Sequence, residues 1–128
     1  MGQLLREAGL VPDRIVSSTA ERARATADLT AGEAGCSGAV RHSRGLYLAS
    51  APEIVRVLAK AGGDASRLLV VGHNPGLEEL VAVLTGCSVD LPTAALVEVR
   101  LDLQSWSKLK AGTPARFVNL WRPRELLR

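Results

Sequence analysis

Apolar residues along the chain occur either in short continuous runs or at helical spacing. The clearest run is Leu68–Val71, which is typical of a strand buried on both faces of a parallel sheet. His73 follows it almost at once, then a turn over 74–76 and a helical pattern over 77–85. A histidine is therefore predicted at the carboxyl end of a strand and beside a helix N-terminus. Open α/β sheets bind ligands at such a place, and a helix N-terminus favours an anion.

The rest of the chain repeats this alternation of strand and helix. Apolar spacing and turn residues predict helices near 4–8, over 20–31, over 51–61 and over 77–85, and strands at 15–16, 39–42, 68–71, 95–101 and 117–121. A helical turn is predicted at 106–110, within a polar connection. The order α-β-α-β-α-β-α-β-β predicts a single α/β domain over residues 1–128. Its architecture would be a three-layer α/β/α sandwich with a mostly parallel sheet and an antiparallel edge.

The helix over 20–31 brings a second candidate group to the same edge of the sheet. Ser18 or Thr19 is predicted to cap it, and Arg22 near its start could reach the edge where His73 lies. Arg24 faces elsewhere, because residues two apart do not share a helix face. An exposed helix arginine remains the alternative for Arg22. The face that packs on the sheet is predicted to contain small residues, namely Ala23, Thr26, Ala27 and Thr30.

Composition narrows the class of protein. The chain has 128 residues, of which 47% are hydrophobic and 23% charged, so it can build a core. Its apolar runs are far shorter than the roughly 20 residues that span a bilayer, and charges occupy the place of a signal peptide's apolar region. The net charge is +3, but aromatic residues do not interleave with basic ones, so nucleic-acid binding is not expected. Cys36 and Cys87 form no metal pattern, and we expect free thiols in the cytoplasm.

Three segments of the chain share their residue spacing with one known group of proteins. Residues 16–26 read VSSTAERARAT and resemble a segment in which a serine after a strand precedes a phosphate-binding arginine by four residues. Residues 70–77 read VVGHNPGL and resemble the segment of a second active-site histidine. Residues 92–99 read PTAALVEV and resemble the strand entry that follows. The group is the histidine phosphatase superfamily, which includes the phosphoglycerate mutases, and the likeness is greatest to the small SixA-type phosphohistidine phosphatases.

This resemblance implies a phosphoglycerate mutase-like fold and a phosphate pocket without metal or cofactor. It implies that His73 and Arg22 are catalytic, with His73 stabilising the phosphoryl oxygens. The implied substrate-binding residues are Ser18, Arg22, His73, Asn74, Thr93 and Ala94. In the complete family site a neutral histidine attacks phosphorus in line, giving a phosphohistidine intermediate that water hydrolyses.

One departure from the family concerns that attacking histidine. The family's first strand ends in Arg-His-Gly or Arg-His-Ala, and no such pair precedes Val16. The pair Arg41-His42 lies after the Arg22 helix and is out of order. We therefore expect a chain that is N-terminally incomplete relative to the family and lacks the nucleophile. Two strands would then lose a ladder partner, and a homodimer through the exposed sheet edge, or a strand of another chain, could fill the gap.

The resulting functional prediction is a phosphatase that hydrolyses phosphohistidine, on a protein, or another phosphomonoester. Relatives often use a carboxylate to protonate the leaving group, but the expected neighbourhood, residues 43–47, has no acid. A nitrogen leaving group needs less help, which favours phosphohistidine, with Glu53 and Glu21 as alternative acids. A non-catalytic phosphate-binding or regulatory domain is the alternative function. A small-phosphate mutase is a third and less favoured alternative, because its usual acidic and lid insertions are too long for this chain.

Overall fold

The computed structural model describes residues 2–36, 38 and 40–122, and these contain the helices and strands in the predicted order. The helices are α1 (Gly2–Glu7), α2 (Glu21–Ala34), α3 (Ala51–Ala61) and α4 (Gly76–Thr85), and the strands are β1 (Arg14–Ser18), β2 (Val40–Ser43), β3 (Leu68–Val71), β4 (Leu96–Leu101) and β5 (Ala115–Trp121). Short 3₁₀ turns lie at Arg44–Leu46 and Trp106–Lys108. In the described part of the chain, no helix is long and apolar enough to cross a membrane.

The strands of the described residues form two sheets. In the first, β1 lies between β2 and β3 and runs parallel to both. In the second, β4 and β5 are antiparallel, with an irregularity between Glu98 and Val99. The predicted α/β class, with parallel strands and an antiparallel pair, is confirmed. Strands β3 and β4 do not pair with each other, so no ladder joins the two sheets.

Strand β1 is the central strand of the first sheet, and both of its faces are covered. Ile15 and Ser17 point to one face and Val16 and Ser18 to the other, since successive strand residues alternate, and all four are buried. Val16 belongs to the apolar core on the α3 and α4 side, whose buried members are Val16, Leu46, Ala49, Ala51, Ile54, Val55, Leu58, Leu80 and Leu109. Ser18 therefore points towards the layer that contains α3 and α4.

Helix α2 packs against β1 through a stripe of small residues. The buried members of this stripe are Ala23, Ala27, Thr30 and Ala34. Thr26, predicted on this face, is exposed. It precedes Ala27 by one residue, which rotates it about 100° around the helix and away from the sheet.

Strand β3 is the element that differs most from its prediction. Its sequence is that of a strand buried on both faces, yet all four residues of Leu68–Val71 are only half-buried. The start of β3 is aligned with β1 by Asp13, whose carboxylate accepts hydrogen bonds from the backbone N–H groups of Ser66 and Arg67 at 2.7 and 2.9 Å. Its other edge pairs with no strand that the structure describes, so its apolar side chains are left partly uncovered.

Candidate functional site

A serine and a histidine meet where β1 and β3 end. The two strands are parallel neighbours, so their carboxyl ends reach the same edge of the sheet. Ser18 is the last residue of β1, and His73 follows β3 by two residues. The His73 Nε2 atom lies 2.8 Å from the Ser18 Oγ atom, within hydrogen-bond distance. Ser18 is fully buried and His73 half-buried, so the histidine is the member of this pair that solvent can reach.

The Ser18 hydroxyl positions the imidazole and is not placed to react. It accepts a second hydrogen bond, 3.2 Å long, from the backbone N–H of Ala20. A serine beside a histidine can be a nucleophile, but substrate cannot reach a side chain with no exposed surface. We therefore assign Ser18 to holding the His73 ring. The Ser17 hydroxyl donates to the Ser18 carbonyl at 2.9 Å and keeps this end of the strand ordered.

The N-terminus of α2 lies directly after Ser18. The prediction that Ser18 or Thr19 caps this helix is wrong, because the N-cap residue is Ala20 and no side chain caps it. The reason is that the Ser18 hydroxyl is engaged by His73 and by the N–H of Ala20 itself. The first N–H groups of α2 therefore have no side-chain acceptor, which is the arrangement that suits a bound anion.

Arg22 lies in the first turn of α2, four residues after Ser18. Its side chain is exposed, and within the described ranges it makes no hydrogen bond or ion pair. The structure does not bring Arg22 into contact with Ser18 or His73. It leaves a guanidinium next to an uncapped helix end, and this group is free to turn towards an anion.

Tyr47, for which the sequence leaves open whether it lines a cleft or packs, is a neighbour of His73. The two ring centroids are 5.7 Å apart with an angle of 67° between the planes, an edge-to-face contact. Tyr47 follows the 3₁₀ turn Arg44–Leu46, and its side chain remains exposed. Its position depends on the path of that turn, for which the sequence has no clear signal. The ring of His73 is thus held by Ser18 and Tyr47, and its Nδ1 atom has no partner among the residues described.

The residues after His73 hold a neighbouring loop in place. The Asn74 side-chain amide donates to the Leu91 carbonyl at 2.6 Å, and the Leu91 N–H donates to a Glu78 carboxylate oxygen at 2.7 Å. Thr93 and Ala94 follow in this loop and are exposed, Ala94 with a φ of 66°. The structure thus joins Asn74 to this loop through Leu91, and within the described residues no side-chain hydrogen bond links Asn74, Thr93 or Ala94 to Ser18 or His73.

A cavity of about 250 Å³ lies beside His73. Its lining includes Leu48, Ala49, Ser50, Glu53, His73, Asn74, Pro75, Gly76 and Glu79. One Glu53 oxygen accepts hydrogen bonds from the Ser50 N–H at 3.0 Å and from the Ser50 hydroxyl at 2.8 Å. These two bonds, the backbone one first, lower the pKa of Glu53 below its ordinary value. A carboxyl group held in its ionised form is a poor proton donor, so Glu53 is unsuited to be the general acid.

Glu21, the other alternative acid, is exposed in the first turn of α2 and lies outside this cavity.

Within residues 2–36, 38 and 40–122 there is no group of three or more His, Cys, Asp or Glu side chains that could hold a metal ion. The charged groups at the edge that suit an anion are the guanidinium of Arg22 and, when protonated, the imidazole of His73.

No family model matches the chain. Two uncharacterized proteins from two strains of Mycobacterium tuberculosis are each 33% identical to it in an alignment of 94 residues that covers 66% of this chain. The chain spans 57% of the length of these relatives.

Solved structures show the same arrangement of helices and strands over nearly the whole chain. A protein named phosphohistidine phosphatase SixA from Nakamurella multipartitia is 26% identical, with a TM-score of 0.78, covering 95% of this chain and 77% of that one. Its namesake from Agrobacterium tumefaciens is 21% identical, with a TM-score of 0.77 and coverages of 95% and 75%. The protein histidine phosphatase SixA in complex with tungstate is 19% identical, with a TM-score of 0.79 and coverages of 98% and 78%. The resemblance to the histidine phosphatase superfamily is therefore confirmed, and this chain has the fold of its SixA-type phosphohistidine phosphatases.

Proposed function

We propose that the protein is a phosphatase of the SixA type that binds a phosphoryl group between Arg22, the N-terminus of α2 and His73. The observation that carries this proposal is the 2.8 Å contact between Ser18 and His73, which fixes an accessible imidazole beside an uncapped helix end. The fold of the SixA neighbours supports a phosphatase at the level of the family. The substrate would be a phosphohistidine, on a protein, or another phosphomonoester.

The chemistry of a phosphoryl group matches the donors at this edge. Arg22 can donate two parallel hydrogen bonds to phosphoryl oxygens. A protonated His73 can donate through Nδ1 while Nε2 stays with Ser18. The N–H groups of α2 add a favourable dipole. One neighbour of the same fold holds tungstate, a tetrahedral oxyanion like phosphate.

Two features favour a substrate with a good leaving group. Glu53 is held ionised by Ser50, and Glu21 lies outside the cavity. Where neither Glu53 nor Glu21 protonates the leaving group, an alkoxide would have to depart unprotonated. The nitrogen of a phosphohistidine leaves more easily. We therefore favour phosphohistidine over a sugar phosphate.

A second candidate function is phosphate binding without catalysis. The 128 residues contain two histidines. His42 lies on β2 and contacts Asp28 of α2 at 3.5 Å, so it is engaged on the side of the sheet that α2 covers. His73 is assigned to stabilising the phosphoryl oxygens, and this leaves no histidine of the chain to attack phosphorus. The 128-residue chain itself is then expected to bind phosphate but not to turn over substrate.

The two candidates are tested on the 128-residue chain, first by calorimetric titration with inorganic phosphate and with tungstate. We expect saturable binding that His73→Ala weakens and that the matched variant His42→Ala leaves unchanged. A second assay measures hydrolysis of a phosphohistidine peptide and of p-nitrophenyl phosphate, and we expect none above the rate without protein. Absence of anion binding would contradict the proposed site. Turnover that His73→Ala abolishes would contradict the view that the chain lacks its nucleophile.

A further inference from the structure

The cavity beside His73 has both apolar and acidic lining. Its volume of about 250 Å³ is smaller than the roughly 300–1,000 Å³ of sites for drug-sized ligands, so it suits a single side chain or ring. Leu48 and Pro75 give it apolar surface, and Glu53 and Glu79 line it as well. Among the described residues that line it, none is an arginine or a lysine. A flat group with one positively charged, hydrogen-donating edge matches this lining.

Glu53 provides a hydrogen-bond acceptor that is already fixed in place. Its Oε1 atom accepts both bonds from Ser50, at 3.0 Å from the backbone N–H and at 2.8 Å from the hydroxyl. Its Oε2 atom makes no hydrogen bond within the part of the chain that the structure describes. The bonds from Ser50, the backbone one first, lower the pKa of Glu53, so its carboxyl group stays ionised. Glu79 is exposed, and its carboxylate is not held by a described partner in this way.

Leu48 supplies apolar surface in a backbone conformation that is uncommon for leucine. Its φ of 49° lies in the left-handed region, which residues with a Cβ seldom adopt. The residue is 70% exposed although it is large and apolar, and the neighbouring Tyr47 is 56% exposed. Backbone strain of this kind persists where the surrounding structure imposes it, often at ligand sites. The conformation leaves a leucine at the cavity instead of in the core.

His73 connects this cavity to the candidate phosphoryl site. It lines the cavity, and its ring is held by Ser18 at the carboxyl edge of the sheet. A phosphoryl group bound by His73 would therefore have the group attached to it within reach of the cavity. In phosphohistidine the attached group is an imidazole ring. When this ring is protonated, the nitrogen that does not bear phosphorus donates an N–H.

We infer that the cavity binds the protonated imidazole ring of a phosphohistidine substrate and that Glu53 accepts a hydrogen bond from the free ring N–H. This inference rests on the proposed function, because His73 must hold the phosphoryl group of the same ligand. Leu48 and Pro75 then cover the apolar faces of the ring. A carboxylate beside an imidazole favours the protonated ring, and a serine or sugar phosphate offers no such N–H. Glu53 is thus a specificity-determining residue, because the ionised state that makes it a poor acid makes it a good acceptor.

The test is calorimetric titration of the 128-residue chain at about pH 6, where a histidine ring is largely protonated. The ligands are inorganic phosphate, the N-acetyl methylamide of histidine phosphorylated on Nε2, and the N-acetyl methylamide of phosphonotriazolylalanine. The triazole ring has a similar shape but carries no N–H donor. We expect the phosphohistidine amide to bind about five- to ten-fold more tightly than the triazole compound, because the latter lacks one charge-assisted hydrogen bond.

Two matched pairs of variants locate the ring. Glu53→Gln keeps an oxygen for Ser50 but replaces the free oxygen with an amide donor, so we expect it to remove the preference for phosphohistidine over the triazole compound. Glu79→Gln removes the same charge from the same cavity and should keep that preference. Leu48→Ala should weaken binding of the phosphohistidine amide about three-fold through lost apolar contact. Leu29→Ala, at a similarly exposed leucine of α2, should not weaken it.

The same titrations separate this inference from the proposed function. If inorganic phosphate binds but the two ring compounds bind equally well, the inference is overturned and the proposed function stands. The inference is overturned in the same way if Glu79→Gln removes the preference as fully as Glu53→Gln does. If neither inorganic phosphate nor the ring compounds bind, both the proposed function and the inference fail. The two ring compounds decide the matter on the unmodified chain even if a variant fails to fold.

Discussion

At the scale of single residues, the candidate site depends on Ser18, whose hydroxyl positions the His73 ring and is not placed to be a nucleophile. Ser18 is fully buried, accepts the N–H of Ala20 and contacts His73. These contacts fix the imidazole at the carboxyl edge of the sheet and leave Nδ1 for a ligand. Because the ring is already held, little conformational entropy is lost when an anion binds.

Replacing Ser18 with alanine tests this positioning role. Ser18→Ala leaves His73 Nε2 without its partner, so we expect about ten-fold weaker phosphate binding and about 1–2 kcal/mol lower free energy of unfolding. The matched control is Ser17→Ala, because Ser17 is equally buried but bonds only the Ser18 carbonyl. Both variants should lose stability, and only Ser18→Ala should change the NMR chemical shifts of the His73 ring and the phosphate affinity. Equal phosphate affinities in the two variants would argue against the positioning role.

The residue types of the site could be predicted from the sequence, whereas their contacts could not. That Ser18 and His73 reach one edge follows from strands that run in parallel. The contact of Tyr47 with His73 depends on how the 3₁₀ turn folds back, and the clamp of Asn74 on Leu91 depends on an irregular loop. Neither leaves a periodic pattern in the sequence. The role of Arg22 also stays a prediction, because its side chain has no described partner.

At the scale of elements, apolar spacing was a reliable guide, and errors arose where a side chain had two possible partners. Ser50 acts at the start of α3 through its bonds to Glu53. Ser18 does not cap α2, because its hydroxyl contacts His73 instead.

Close packing also fixes the turn after β3. A Cβ added at Gly76 would collide with the Ala49 carbonyl oxygen, so only glycine allows α4 to start there.

The bonds between Ser50 and Glu53 make the stability of α3 dependent on pH. The pKa of Glu53 is lower in the folded protein than its ordinary value of 4.5, so the unfolded state binds the proton more readily. This contribution is therefore fully present above pH 4.5 and is lost as the pH falls through the lowered pKa. We expect Glu53→Gln to lose less free energy of unfolding than the unmodified chain between about pH 6 and pH 3, as measured by urea denaturation.

Glu21→Gln is the matched control for this prediction, because it removes a first-turn carboxylate from α2 and leaves Glu53 in place. We expect it to keep the acid sensitivity of the unmodified chain. If Glu53→Gln shows that same sensitivity, the bonds to Ser50 do not hold the carboxylate ionised.

At the scale of the whole molecule, the sequence predicts the α/β class and, because no Arg-His pair precedes Val16, two strands that lose a ladder partner. It does not show which strands these are or that the strands divide into two sheets, because the run Leu68–Val71 reads as a strand with two neighbours. The half-exposed β3 and the facing edge of β4 show that division directly. The cytoplasmic location and the homodimer stay predictions.

The central claim is that Arg22 and His73 hold a phosphoryl group, and Arg22 tests it most directly. Calorimetric titration with inorganic phosphate should compare Arg22→Ala with Arg24→Ala, two exposed arginines on the same helix. Both variants lose one positive charge, so the effect of net charge on phosphate affinity is the same in the two. A bidentate, charge-assisted bond predicts about ten- to hundred-fold weaker binding for Arg22→Ala and nearly unchanged binding for Arg24→Ala. Equal phosphate affinities in the two variants would contradict the account.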